Sequence, residues 1–577
     1  MTAHVSPEVS GWPRSVFAGT DVCAEAGLAL PAGTAGPRFE EDVWDFTEVI
    51  GLRVQMPLAC RRLDFTAIAD DRWRLVAKEL VFALLAPRHE AVAVLPRALR
   101  TPLHLQTCHG RLAELTRWFT WLADHGLTSL AEVDNDCCAA YLDHRRHIRD
   151  AEGVVVGDRS PSLRRAAAHS VVELLNYREL FTADRLRADL RPWSGASPSA
   201  IAEMRSGRDA NTTPPLDDRV LQPLLAAALY LVTVIGPHTG ELTTQLREAR
   251  QWKRRRPSPD LRKQPPLSRK GLLQVLNEYR QAGQPLPLLP DHIIAERVKD
   301  GWPADDPFTL LALEHLARQA GFVVFDPTWT PKLRDAIETT LALLGAEKPV
   351  GRNATHVRRA DNDEMLPWTL PLHDAEARAV LGALRTATIM TIALTSGMRS
   401  SELMELRVGC RRPPQEHASD LVRYRLASRV VKGQPLGGVE DEWIVIEPAY
   451  LAAGLAEQLH NDPRPSALLF GRFTFNVRYQ WFRNWVNGPT GQRLGLASIP
   501  NDNVTLRAMR RTLALELAYR PGGLLATKIH LKHISVATTE GYSSRPGGAQ
   551  GELLAEVNKH QATHNLDLIL TEFRNYQ

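Results

Sequence analysis

The chain has 577 residues, enough for two to four separately cored domains and too many for a single compact one. Its 70 Lys and Arg stand against 66 Asp and Glu, a net charge of +4, so the overall balance neither demands nor excludes nucleic acid and the local distribution has to decide. Cys23, Cys60, Cys108, Cys137, Cys138 and Cys410 form no C-x-x-C pair and no zinc-ligand spacing, which argues against a structural zinc and reads as reduced, buried thiols. Arginine outnumbers lysine, a bias that suits bidentate phosphate contacts and equally reflects base composition. The first thirty residues lack a basic start followed by an apolar core, and no uninterrupted apolar run reaches membrane-spanning length. The expectation is a soluble, cytoplasmic protein without a membrane partner.

Residues 1–95 read as an N-terminal extension without a functional signature, with a loop-like start at Pro7, Pro13, Pro31 and Pro37 and a helix over 71–85. From Leu105 the period becomes helical: Leu112, Leu115, Trp118, Phe119 and Leu122 recur at three- and four-residue steps until Gly126, and a second helix is predicted over 135–149. This region, 96–190, has the pattern of a helical bundle. Residues 191–365 form a further helical region, with helices predicted near 224–235 and 308–316. Inside it, segment 247–263 gathers Arg247, Arg250, Lys253, Arg254, Arg255 and Arg256 against Glu248 and Asp260, with Trp252 among them. Such a run can lie along a nucleic-acid backbone, and a solvated linker has the same composition.

Residues 373–394 read as a helix that ends at Thr395-Ser-Gly397, where the glycine permits a tight turn so that Arg399 starts the next helix. Glu402 follows three residues later on the same face, where a carboxylate can hold the guanidinium. An isolated surface ion pair looks the same. Strand composition returns at 422–431 and 443–447, separated by a turn that begins at Lys432. Lys432 is the only lysine between Lys348 and Lys528. Leu506, Met509, Leu513 and Leu517 then mark a helix that carries Arg507 and Arg510 one turn apart, with Arg511 a competitor for Arg510. His533 comes 23 residues after Arg510, and Tyr542 comes 9 after His533.

In order and spacing, these four boxes resemble the phage-integrase type of tyrosine recombinase over roughly the last third of the chain. That family carries a Gly-Met/Leu-Arg-x-x-Glu-Leu box, a hairpin lysine, a His-x-x-Arg box and a final His-to-Tyr box. The resemblance implies a mainly α multidomain protein: a helical core-binding domain over 96–190, and an α+β catalytic domain with a small β-sheet over 366–550. The tail 551–577 would pack on a neighbouring subunit or on its own domain. The resemblance further implies Arg399, Lys432, Arg507, Arg510, His533 and the nucleophile Tyr542 as catalytic residues and Glu402 as their support. Lys253, Arg254, Arg255 and Arg256 become DNA contacts. It implies double-stranded DNA as partner, a homotetramer on DNA, accessory recombination proteins, a nucleoid-associated location, and no metal or cofactor. One position departs from the pattern. Arg507 stands where the family has His, and an arginine can bind phosphate but cannot shuttle a proton. The expected activity is site-specific recombination through a covalent 3′-phosphotyrosine, serving integration, excision or transposition of a mobile element. The alternatives are a type IB topoisomerase-like nicking and resealing enzyme and a DNA-binding descendant without catalysis.

Overall fold

The computed structural model describes residues 13–204, 213–254, 269–320, 330–417, 421–432, 434, 436–461, 464, 465, 467–519, 530 and 531. The chain divides into two compact units, Met1–Arg208 together with the short segment Val431–Val439, and Asp209–Val430 together with Glu440–Gln577. About half of the chain is helical, and the sheets are small.

In the first unit one apolar core runs from Phe17 to Leu190. Helix α1 (Asp71–Leu85) starts where Asp70 accepts from the backbone N–H groups of Arg72 and Trp73, satisfying two donors that a helix start leaves open. Its buried residues are apolar apart from Lys78 and Glu79; Glu79 is fully buried and takes hydrogen bonds from Ser15 Oγ at 2.8 Å and from the Thr182 backbone N–H at 3.0 Å. Trp73 stacks on Phe119 of α2 (Leu105–Asp124), with ring centroids 5.5 Å apart. Asp184 closes this packing by accepting from Trp73 Nε1, Ser129 Oγ and the Leu130 N–H. Helix α3 (Asn135–Arg146) stops three residues short of the predicted end, because His147–Arg149 forms strand β1 against β2 (Val155–Asp158). The turn Asp150–Gly153 makes that reversal, with Gly153 at φ +81°. Helix α4 (Pro161–Asn176) completes the bundle.

The second unit is organised around a 23-residue helix, α8 below. Helix α5 (Asp218–Tyr230) continues through a π-helical turn at Leu231–Ile235, and α6 spans Gly240–Arg254. Residues 216–246 share their core with residues 350–509. A smaller core joins α7 (Arg269–Ala282) to Phe308, Leu316, Leu333 and Ile337. The helix predicted near 308–316 is broken, because Leu311 turns extended and bridges Leu288. Helix α8 (Asp374–Ser396) begins at a capping box, where Glu376 accepts from the His373 N–H at 2.8 Å. It is followed by α9 (Ser400–Met404), a three-stranded sheet, and helices α10 (Glu447–Gln458), α11 (Phe475–Asn487) and α12 (Leu506–Ala518).

The sheet contains β3 (Arg411–His417), β4 (Leu421–Val430) and β5 (Val439–Val445) in the order β5-β4-β3. The hairpin over 422–447 is therefore present, with one further strand that the sequence reading passed over. Pro413 and Pro414 sit in that strand at the sheet edge, where a missing N–H is tolerated.

Two stretches, Asp218–His238 and Asp374–Ser396, are long and apolar enough to cross a membrane by length and composition. Both carry charged residues, Asp218 and Arg219 in the first and Asp374, Glu376, Arg378 and Arg385 in the second, so neither is an uninterrupted apolar run. The second of them lies mostly within the core of its unit. All six cysteines are free; Cys60 and Cys137 are half-buried and the other four are buried, two fewer than expected.

Candidate active site

Helix α8 ends at Gly397 in the left-handed region, φ +62°. A Cβ at this position would stand 2.3 Å from Leu531 Cδ2 and 3.1 Å from Leu513 Cδ2, so glycine is required by both conformation and space. The turn brings Arg399 to the N-cap of α9. Both oxygens of Glu402 converge on that single residue: Oε1 accepts from Arg399 Nη1 at 2.7 Å and Oε2 from the Arg399 N–H at 2.7 Å. Glu402 is 1% exposed, whereas the Arg399 side chain retains 18% exposure. A buried carboxylate thus fixes the orientation of a guanidinium that still reaches solvent.

Arg510 projects from α12 into the same region and is 2% exposed. Its Nη1 donates to the Gly397 carbonyl and its Nη2 to the Leu531 carbonyl, the latter at 2.7 Å. Arg510 therefore ties together three segments far apart in sequence: the turn before Arg399, its own helix, and the residues just before His533. The turn that carries Arg399 is thereby tied to the helix that carries Arg510, and guanidinium donors of this kind suit an anion. Thr512, two residues on, accepts from the Leu216 N–H at 2.8 Å and so anchors α12 to the start of the α5 segment.

Arg507 lies one turn before Arg510 but is exposed, and Arg511 is 3% exposed. Arg399 pairs with Glu402, and Arg510 bonds the Gly397 carbonyl two residues before Arg399; Arg507 takes no part in these bonds. Lys432 is exposed in the hairpin turn, in the short segment that groups with the first unit. Lys253 and Arg254 end α6. Arg255, Arg256, His533, Tyr542 and the tail 551–577 lie outside the described residues.

Sequence reasoning missed Ser428. It is 8% exposed on β4, and its Oγ donates to the Glu402 carbonyl at 2.7 Å, which registers the hairpin strand against the helix that holds Arg399. The available signal was the strand alternation: Leu426 and Ser428 share the inward face, and a hydroxyl there needs a partner. It also gave no sign of the Leu531 carbonyl as a ligand of Arg510. An open cleft of about 580 Å³, lined by Tyr230, Val234 and residues 358–363, includes none of the residues named from the sequence. Among the described residues no group of His, Cys, Asp and Glu is arranged to hold a metal ion.

No family model and no curated protein matches the chain. Among solved structures it is similar to XerH site-specific recombinase bound to difH substrate in a pre-cleavage complex, at 10% identity and a TM-score of 0.35, covering 82% of this chain and 95% of that one. It is similar to XerH bound to palindromic difH substrate in a post-cleavage complex at 10% identity and a TM-score of 0.32, covering 83% and 87%. XerA recombinase matches at 16% identity and a TM-score of 0.21, covering 56% and 98%.

Proposed function

We propose that the chain is a tyrosine site-specific recombinase that cleaves and rejoins double-stranded DNA through Tyr542. The observation that carries this reading is the pair of bonds from Arg510 to the carbonyls of Gly397 and Leu531. They link the helix of Arg510 to the turn before Arg399 and to Leu531, two residues before His533 in sequence, which supports the reading that these boxes act together.

A phosphodiester under attack gains negative charge on its non-bridging oxygens, and guanidinium groups stabilise that charge. In the proposed reaction Arg399 and Arg510 serve this role, with the exposed Arg507 as a further phosphate ligand. The Tyr542 hydroxyl loses its proton, with His533 accepting it or orienting the phosphate, and its oxygen forms a bond to phosphorus. The bond from phosphorus to the 5′ oxygen breaks, and Lys432 supplies the proton to that leaving oxygen. The 3′-phosphotyrosine conserves one phosphodiester-like bond, so a 5′ hydroxyl from a second strand reverses the step without ATP. Exchange between two duplexes requires four such sites, hence a tetramer on DNA, and the chain's size suits a mobile-element integrase or transposase.

The test is incubation of the full chain with nicked, end-labelled duplex DNA from around its own gene, followed by a denaturing gel. A covalent adduct that Tyr542→Phe abolishes while DNA binding persists supports the reading. An adduct that survives the substitution refutes it.

A further inference from the structure

Glu402 serves two partners through different atoms. Its carboxylate holds Arg399, and its backbone carbonyl accepts from Ser428 Oγ at 2.7 Å. That carbonyl is among the last four of α9, which have no partner inside a helix. Ser428 supplies one from the sheet. The residue that orients a candidate phosphate ligand is thus also the residue to which strand β4 is fastened.

The fastening sits where β4 loses a neighbouring strand on one side. Its pairing with β3 shifts register between Arg423 and Arg425 and ends at Leu426 opposite Arg411, with one further bond from the Ala427 N–H to the Cys410 carbonyl at 2.7 Å. Ser428–Val430 run past the start of β3. Leu426 and Ser428 are buried, and Val430 packs partly buried against the core that holds Leu426. Because side chains alternate along a strand, a slip of one residue would turn this set outward. An apolar residue would fill position 428 without specifying a partner, whereas a buried hydroxyl specifies one.

Lys432 follows Ser428 by four residues and the end of the strand, Val430, by two. Four extended residues span about 13 Å, so the place of Ser428 sets the root from which the lysine extends. We infer that Ser428 is a positioning residue for Lys432: its bond to the Glu402 carbonyl fixes the register of β4, and through it the distance of the lysine ammonium from a phosphate held by Arg399. The inference rests on the proposed recombinase reading, in which Lys432 gives a proton to the leaving 5′ oxygen.

The test uses the full chain and two nicked duplexes that differ in one atom at the scissile position mapped from the wild-type adduct, a bridging 5′ oxygen or a bridging 5′ sulfur. A thiol ionises at about pH 8.5, so a thiolate leaves without the proton that an alkoxide needs. The sulfur duplex therefore bypasses what Lys432 contributes. Adduct formation by Lys432→Ala is expected to fall about 100-fold on oxygen and to stay within about twofold of the wild type on sulfur. Ser428→Ala is expected to follow the same pattern in smaller measure, about 10-fold on oxygen and no more than about twofold on sulfur. Ser428→Thr keeps a hydroxyl, suits a strand and restores the oxygen rate. Both rates come from one preparation, so a loss of folded chain lowers them together and cancels from the ratio. Ser428→Cys keeps the volume with only a weak S–H donor and gives the same comparison if the alanine chain does not fold.

Equal losses on the two duplexes would make Ser428 a residue of the fold or a support of Arg399 alone and overturn the proposal. An oxygen rate unchanged in Ser428→Ala, or a Lys432→Ala chain that sulfur does not rescue, would overturn it as well. No wild-type adduct at all strikes the recombinase reading and this inference with it, whereas a wild-type adduct with equal losses in Ser428→Ala strikes this inference alone.

Discussion

Two buried carboxylates, Glu114 in the first unit and Glu402 in the second, use the same residue types to different ends. Glu114 divides its oxygens between two arginines, Arg117 at 2.7 Å and Arg145 at 2.9 Å, and Arg145 is shut in with only 9% of its side chain exposed. Glu402 spends both oxygens on Arg399, whose side chain is 18% exposed. The shut-in Arg145 fastens α2 to α3, while Arg117, on α2 itself, keeps half of its side chain in solvent. The second acid orients a cation toward something outside the pair. The contrast teaches that burial of the acid is common to both, while the two acids are used differently: Glu114 reaches across to a shut-in arginine on another helix, and Glu402 gives both oxygens to one neighbouring arginine that still reaches solvent.

The largest effect that would sharpen this contrast is on stability. Glu114→Ala leaves Arg145 buried without its carboxylate, and the expected loss is about 3–5 kcal/mol, read as a fall in the denaturant midpoint of the first unit. A loss below about 1 kcal/mol would place Glu114 among exposed pairs and dissolve the comparison.

Next comes a pH effect on a third buried acid. Burial pushes the Glu173 carboxyl from 4.5 up to about 7, with Arg111 opposing; Arg111 Nε lies 3.0 Å away. The folded state holds this proton more tightly than the unfolded chain. The associated stability is therefore fully present below pH 4.5 and is lost as pH rises to about 7. The loss amounts to roughly 3 kcal/mol at 1.36 kcal/mol per pH unit. Burial lowers the proton affinity of the adjacent His169, which acts in the opposite sense. The comparison is accordingly between wild type and Glu173→Gln at each pH. The variant gains on the wild type across this window; parallel curves contradict the assignment.

The smallest of the three concerns Arg399. Arg399→Lys keeps a positive charge beside Glu402 but loses the planar fork. Adduct formation on nicked DNA is expected to fall about 100-fold with DNA affinity retained. Equal losses of binding and cleavage would reduce Arg399 to a general DNA contact and erase its distinction from a fastening pair.

Much of the local structure was legible. The helix over 71–85 follows from Asp70 as cap and a continuous apolar stripe, and the one over 374–396 from its apolar positions and terminal Gly397. The Arg399–Glu402 pair was legible because it is local, three residues on one helical turn. What could not be read is non-local or context-driven. Leu311 has helical neighbours, yet its backbone is drawn into a bridge with Leu288. His147–Arg149 continues a helical composition but pairs with a strand formed beyond the next turn. The bonds from Arg510 to Gly397 and Leu531 span 113 and 21 residues, and no periodicity encodes a carbonyl as a partner. Nor does composition reveal that residues 216–246 share a core with 350–509.

The central claim is that Tyr542 forms a bond to DNA phosphorus beside Arg399 and Arg510. The most direct measurement is mass spectrometry of the gel-purified adduct after nuclease and protease digestion. The account predicts a residual nucleotide phosphate on the peptide that contains Tyr542, lost in Tyr542→Phe. A nucleotide mapped to any other residue, or none on a protein that binds and nicks the same DNA, contradicts it.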